Sequence, residues 1–438
     1  MSASEDRPRS SVPRKPGRGV ASRDSGVLAL GSAISGLLAY AFFALATRSL
    51  GAERAAPVSV LWSYWAVAAA VLTFAVQHWT IRTLASDGHE STVARSIPRI
   101  SAAAAGLSAL AGMVAFAFRH VLFHQNGVAF PAMIAAVTAG SFFVGLVRGA
   151  LAGRGRYVAT AASLIGENAI RVVGAAGVAF AGGGAKAFGE ALVIGPLIGL
   201  VWARSLRFDS SSPASSDLRN PLALVSGIAG GSLIAQVVLT GAPVVLAAIG
   251  GAQAEVTSLF VALAVWRAPY LLALGMSPRL TPALTLLVVD GQHRRIARVR
   301  RMTVLGVAVG AAAAALVGVT LMQPVLHLAF GPDINVDAAA LAALGVGTAI
   351  ALGNLVLLLM LLALGRSRAA TTSWAAALAV SAGWMVLSTM APEPRVVVAF
   401  LLAQLTAFAL LLAACRPHAG QAAEPRFAES PVAPDAFA

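Results

Sequence analysis

The chain has 438 residues, of which 58% are hydrophobic and 11% charged, and its mean hydropathy is +0.80. A soluble domain covers itself with about 25% charged residues, so a water-soluble core is excluded. The net charge of +14 sits in short segments between apolar runs rather than on one folded face. That pattern excludes a nucleic-acid partner and points to membrane topology.

In chain order, residues 1–25 form a basic, Pro- and Ser-rich tail, expected to be disordered. No cleavable signal peptide is expected, because the apolar run that follows is too long and has no small-residue cleavage pattern. A spanning helix needs about 20 mostly apolar residues. That ruler predicts twelve spans, at 26–50, 57–79, 101–123, 129–151, 157–182, 187–204, 221–249, 253–276, 302–326, 336–364, 370–389 and 395–415. The predicted fold class is an all-α polytopic membrane protein, with residues 416–438 as a second disordered tail.

The charges check the span count. The N-terminal tail carries Arg7, Arg9, Arg14, Lys15, Arg18 and Arg23. The loops on its side of the membrane carry Arg82, Arg95 and Arg99, then Arg148, Arg154 and Arg156, then Arg204, Arg207 and Arg219. They continue with Arg279, Arg294, Arg295, Arg298, Arg300 and Arg301, then Arg366 and Arg368, and end with Arg416 and Arg426. The opposite side has Arg48, Arg54, Arg119, Lys186 and Arg395. One missed span would scramble this asymmetry. Basic loops stay in the cytoplasm, so both termini are expected there, in the inner (cytoplasmic) membrane.

The chain also repeats itself. Asp87-Gly88 with Val93-Ala94-Arg95 after span two matches Asp290-Gly291 with Ile296-Ala297-Arg298 after span eight. Gly153-Arg154-Gly155-Arg156 after span four matches Gly365-Arg366-Ser367-Arg368 after span ten. The offsets are 203 and 212 residues, which one small length change reconciles. Six spans is an even number, so the halves enter the membrane in the same orientation. The expected architecture is two six-helix lobes, 26–204 and 221–415, related by a pseudo-two-fold axis along the membrane normal. Residues 205–220 form a cytoplasmic linker between them. Transporters with parallel repeats bind cargo between the lobes and rock them.

Intramembrane charges are costly and serve as site candidates. In span five, Glu167 and Arg171 lie four residues apart, with Asn168 between them, and share one helix face. They are either a self-neutralised packing pair or the lining of a cavity in which Arg171 meets an anionic substrate. In span eight, Arg267 has no carboxylate within one turn, and Pro269 is expected to kink the helix beside it. Pro243 is a second expected kink or hinge. Glu190 is expected to reach the interface, and Gln236, Asn354 and Gln404 to hydrogen-bond between helices. Gly227 and Gly231 allow close packing. The lone Cys415 excludes an intrachain disulfide, and the scattered histidines give no metal site. No phosphate-binding glycine loop, paired-carboxylate set or nucleophile elbow is present, so neither a cofactor nor an enzymatic activity is expected.

Arg267-Ala268-Pro269, Ser277-Pro278-Arg279-Leu280 and Asp290-Gly291, set in two six-span halves, resemble the polysaccharide flippases of the multidrug/oligosaccharidyl-lipid/polysaccharide exporter superfamily. The run from Leu146 through Arg148-Gly149 to Gly153 is similar to the arginine–glycine turn common there. The resemblance implies translocation of a lipid-linked oligosaccharide, with Arg267 first and Arg171 second in holding its pyrophosphate. Partners would then be the lipid-linked glycan, membrane lipids, and a glycan polymerase or glycosyltransferases. Two other readings are a cation antiporter of the multidrug and toxin extrusion type, which needs free acids, and a non-transporting scaffold, which needs all buried charges paired.

Overall fold

The computed structural model describes residues 18–85, 90–209 and 234–416. Among these residues every regular element is helical. The first helix, α1 (Arg18–Ala68), holds two passes joined at Gly51, whose φ of 73° turns the chain. Only glycine takes that conformation without strain. The second pass continues through a π-turn at Ala69–Thr73 into α2 (Phe74–Ala85). Then come α3 (Glu90–Ala117), the short α4 (Arg119–Phe123), α5 (Ala129–Gly153), α6 (Tyr157–Phe180) and α7 (Ala185–Val193). A 3₁₀ segment, Gly195–Leu206, completes the sixth pass.

The second half begins with helical residues 234–240 and α8 (Ala242–Ala248), and continues with α9 (Gln253–Val289) and α10 (His293–Val317). The latter runs through a second π-turn, Gly318–Met322, into α11 (Gln323–Phe330). The last three passes are α12 (Ala338–Ala363), α13 (Ser367–Leu387) and α14 (Pro392–Ala414). Ten helical stretches are long and apolar enough to cross a membrane, and the first of them, Gly26–Ala68, covers two passes. The seventh pass falls partly outside the described residues. So do most of the linker, Gly227 and Gly231, Asp87-Gly88-His89, residues 1–17 of the first tail and residues 417–438 of the second; residues 18–25 of the first tail are helical.

Large apolar side chains point outward, as lipid requires: Phe180 is 97% exposed and Val386 83%. Inside, small residues let helices close. Gly145, Gly149 and Gly153 form a stripe on α5 against the second pass, where a Cβ at Gly149 would lie 2.6 Å from the Thr80 Cβ. Such stripes are the standard close contact between spanning helices.

The repeat is visible in the turns, with a correction to its register. Gly155 (φ 71°) and Gly365 (φ 70°) occupy the same left-handed position. Each is followed by an arginine whose amide reaches back five residues, Arg156 to the Leu151 carbonyl (2.8 Å) and Arg366 to the Leu361 carbonyl (2.9 Å). This is a Schellman cap, in which the left-handed residue defines the position. The second turn pair therefore aligns Gly155 with Gly365, at an offset of 210 residues, rather than Gly153 with Gly365. The letters G-R-x-R match two residues out of step with the backbone.

The lobes meet through α1, which packs on α6 within its own half and on α8, α9 and α11 of the other, while α4 touches α8. The polar contacts of this seam lie toward the arginine-poor face. The Tyr40 hydroxyl donates to the Ala264 carbonyl (2.6 Å), and Ser59 Oγ donates to Thr257 Oγ1 (3.4 Å). Arg48 Nε donates to the Ala329 carbonyl (3.1 Å) and its Nη2 to the Leu328 carbonyl. Between these levels the Phe43 and Phe260 rings lie 4.2 Å apart.

Candidate functional site

Two arginine-centred sites sit inside the membrane, one closed and one open. The closed one belongs to the first lobe. Helix α6 places Glu167, Asn168 and Arg171 on one buried face. Glu167 Oε1 accepts from Arg171 Nη2 at 2.5 Å, and its Oε2 accepts from Arg148 Nη2 at 2.5 Å. Arg148 reaches in from α5 and also donates to Ser163 Oγ (3.0 Å) and the Ser163 carbonyl (3.1 Å). Arg171 donates further to the Leu192 carbonyl (3.0 Å) and Asn168 Oδ1 (3.1 Å). Asn168 in turn donates to Ser35 Oγ (2.7 Å), which ties α6 to α1. The Arg171 guanidinium lies 4.2 Å from the centre of the Trp65 ring, a cation–π contact. Gly195 makes room for it, since a Cβ there would stand 2.4 Å from Arg171 Nε.

All three nitrogens of the Arg171 guanidinium are engaged and the residue is fully buried. The geometry therefore favours packing over cavity lining for Glu167, Asn168 and Arg171. Arg148 is the residue that sequence reasoning missed. Its nearness to Arg154 and Arg156 in sequence suggests the loop, but α5 continues to Gly153, so Arg148 stays inside the helix and buried.

The open site lies at the seam. Helix α9 carries Arg267, which is 8% exposed. Its Nη1 donates to the Leu239 carbonyl at 3.3 Å, and its Nε is buried without a partner. Among the described residues no carboxylate pairs with it; the phenols of Tyr40, from the other lobe, and of Tyr270 stand within electrostatic reach. The neighbouring Trp266 ring fills the space left by Gly345, where a Cβ would meet it at 2.7 Å.

Proline behaves differently at the two expected kinks. Pro243 sits in the first turn of α8, just after the helix breaks at Gly241. Pro269 lies within the continuous helix α9 with its ring exposed. Glu190 is at the arginine-poor end, exposed, with Lys186 at 3.8 Å. The amides bond between helices: Asn354 Nδ2 donates to Gln404 Oε1 (2.9 Å), and Gln236 Nε2 donates to the Tyr270 hydroxyl (3.4 Å). Among the described residues, no three His, Cys, Asp or Glu side chains gather as a metal site would require.

No protein-family model matches the chain, and no curated protein matches it in sequence. Solved structures do match in fold. An inward-facing multidrug resistance MATE family transporter of the MOP superfamily aligns with a TM-score of 0.66 and 14% identity, over 87% of this chain and 94% of that one. An outward-facing transporter of the same description aligns at 0.59 and 16% identity, over 92% and 98%. A MOP superfamily transporter from Pyrococcus furiosus, whose binding pocket is described as having a reversed polarity that suggests a different function, aligns at 0.57 and 14%, over 92% and 100%. The chain thus has the two-lobed fold of these transporters.

Proposed function

We propose that the protein is a secondary transporter that works by alternating access between its two lobes, and that its cargo carries negative charge to Arg267. The observation that carries this reading is the state of Arg267: buried, at the lobe seam, with a free Nε and, among the described residues, no carboxylate beside it. A guanidinium in a low-dielectric site favours a phosphate or carboxylate, to which it donates in parallel. A lipid-linked oligosaccharide precursor, anchored through a diphosphate, has that chemistry, in keeping with the resemblance in span eight. Such cargo would come from membrane glycosyltransferases and go on to a polymerase. With the arginine-rich face in the cytoplasm, the protein sits in the cytoplasmic membrane with both termini inside.

A second reading is export of cationic drugs. It is supported by the fold, since the aligned solved structures include multidrug transporters. It needs a mid-membrane acid free to meet a cation. Glu167, the carboxylate nearest mid-span, is held between two arginines.

The two readings part in proteoliposomes holding the full-length protein. Fluorescent prenyl-diphosphate sugar should be flipped, and Arg267→Ala should slow flipping about tenfold or more, the loss of one charge-assisted pair. Arg267→Lys should restore part of the rate, because it keeps the charge and loses the fork. Unchanged flipping in Arg267→Ala overturns the anionic site. Uptake of ethidium that ignores Arg267 supports the cationic reading instead.

A further inference from the structure

Next to Arg267, the second lobe holds a group of buried polar atoms that neither the packing nor the proposed transport step uses. Asn354 on α12 is 1% exposed, Gln404 on α14 is fully buried, and Trp374 on α13 is 2% exposed. Asn354 Nδ2 donates both to the Gln404 backbone carbonyl (3.1 Å) and to Gln404 Oε1 (2.9 Å). A carbonyl only accepts, so the first bond fixes which end of the Asn354 amide faces Gln404, and the second then fixes the Gln404 amide. Three atoms are left without partners: Asn354 Oδ1, Gln404 Nε2 and Trp374 Nε1.

Their side chains line one cavity of about 10 Å³, together with Tyr270 and Leu239. That is about the room one water-sized group needs. The cavity adjoins the arginine site, since Leu239 gives its carbonyl to Arg267 and the Tyr270 phenol stands within electrostatic reach of it. Unpaired polar atoms in a membrane interior are costly. Three residues from three helices, each with such an atom, line one small cavity, and together they call for a guest. The set offers two N–H donors and one carbonyl acceptor. A hydroxyl, with two lone pairs and one proton, complements it. A cation would face the two N–H groups, and a carboxylate would face the Asn354 oxygen.

We propose that this cavity is a subsite for one neutral hydroxyl-type oxygen, which accepts from Gln404 Nε2 and Trp374 Nε1 and donates to Asn354 Oδ1. The oxygen comes either from a resident water or from a hydroxyl of the cargo. In the second case the transporter reads a hydroxyl close to a negative charge. That arm rests on the anionic reading of Arg267; the subsite itself does not.

The test is a structure of the full-length protein in nanodiscs, alone and with glycerol 3-phosphate, together with titrations of glycerol 3-phosphate and n-propyl phosphate. These probes share the phosphate and differ in hydroxyls. An isolated density peak within hydrogen-bond reach of the three atoms, unchanged by glycerol 3-phosphate, assigns a resident water. Density continuous from a phosphate at Arg267 into the cavity assigns a cargo hydroxyl. Glycerol 3-phosphate should then bind about tenfold more tightly than n-propyl phosphate, about what one buried hydrogen-bonded group supplies. Trp374→Phe should shrink that preference and leave n-propyl phosphate unchanged. A peak with no phosphate at Arg267 leaves the subsite standing and removes the anionic reading. No peak with or without probe overturns the subsite.

Discussion

The two lobes share a fold but solve the problem of buried polarity in opposite ways. With Gly155 set on Gly365, the first lobe's Arg148, Glu167 and Arg171 fall on Leu358, Ala377 and Ser381 of the second. The second lobe's Asn354 and Trp374 fall on Val144 and Leu164 of the first. The first lobe pairs its buried charges with one another. The second carries neutral amides, an indole and one arginine, Arg267, and leaves donors and an acceptor open. A closed ionic network resists any movement that separates its members, because each separated charge loses several kcal/mol of compensation. An open neutral set can take in and release a guest at modest cost. The comparison casts the first lobe as a rigid body and the second as the half that responds to cargo.

The largest expected effect strikes the rigid half. Glu167→Ala strands two arginines in the membrane interior and should destabilise the protein by about 3–5 kcal/mol, read as a lowered midpoint of thermal unfolding in nanodiscs. Giving the first lobe the second lobe's residues, Arg148→Leu with Glu167→Ala and Arg171→Ser, removes every stranded charge. The triple variant should be the more stable of the two. If it is less stable, the network contributes more than mutual neutralisation, and the contrast between the lobes is drawn wrongly.

A smaller effect is expected at Gly195. A methyl group there overlaps Arg171 Nε, so Gly195→Ala should cost about 1–3 kcal/mol through overpacking, again in thermal unfolding. The same change at Gly177, where nothing lies within 4 Å of a new Cβ, should leave the midpoint within error or raise it slightly, since alanine favours helix.

The smallest effect belongs to the seam between the lobes. Arg48 is exposed, and its bonds to the Leu328 and Ala329 carbonyls compete with water. Arg48→Ala should shift the balance between open and closed forms by about 1 kcal/mol. A thiol introduced as Ser59→Cys, buried at this seam, should then be labelled several-fold faster from the arginine-poor side. Labelling unchanged by Arg48→Ala would place the closure elsewhere, for instance at the Phe43–Phe260 contact.

Hydropathy and charge made the passes and the repeat legible, because lipid imposes one rule on every span. What they did not reveal was register and pairing. The G-R-x-R letters recur two residues out of step with the backbone, since the turn depends on which glycine adopts positive φ and not on the arginines around it. Arg148 was misplaced because charge counting follows proximity in sequence, while a buried arginine needs only a partner across the helix. That partner, Glu167, is nineteen residues away. The link from Asn168 to Ser35 spans 133 residues and leaves no local trace. Arg267 was legible for the opposite reason: it stands out by lacking a nearby carboxylate in sequence, and the described residues supply none in space.

The placement of Arg48 has one further consequence. Its guanidinium covers the last carbonyls of α11, the negative end of that helix. Because Arg48 is exposed in this state, water already stands beside the bond and can take over each half of it as the lobes part. The latch therefore adds little to the barrier against opening and serves to guide the two lobes back into register on closing.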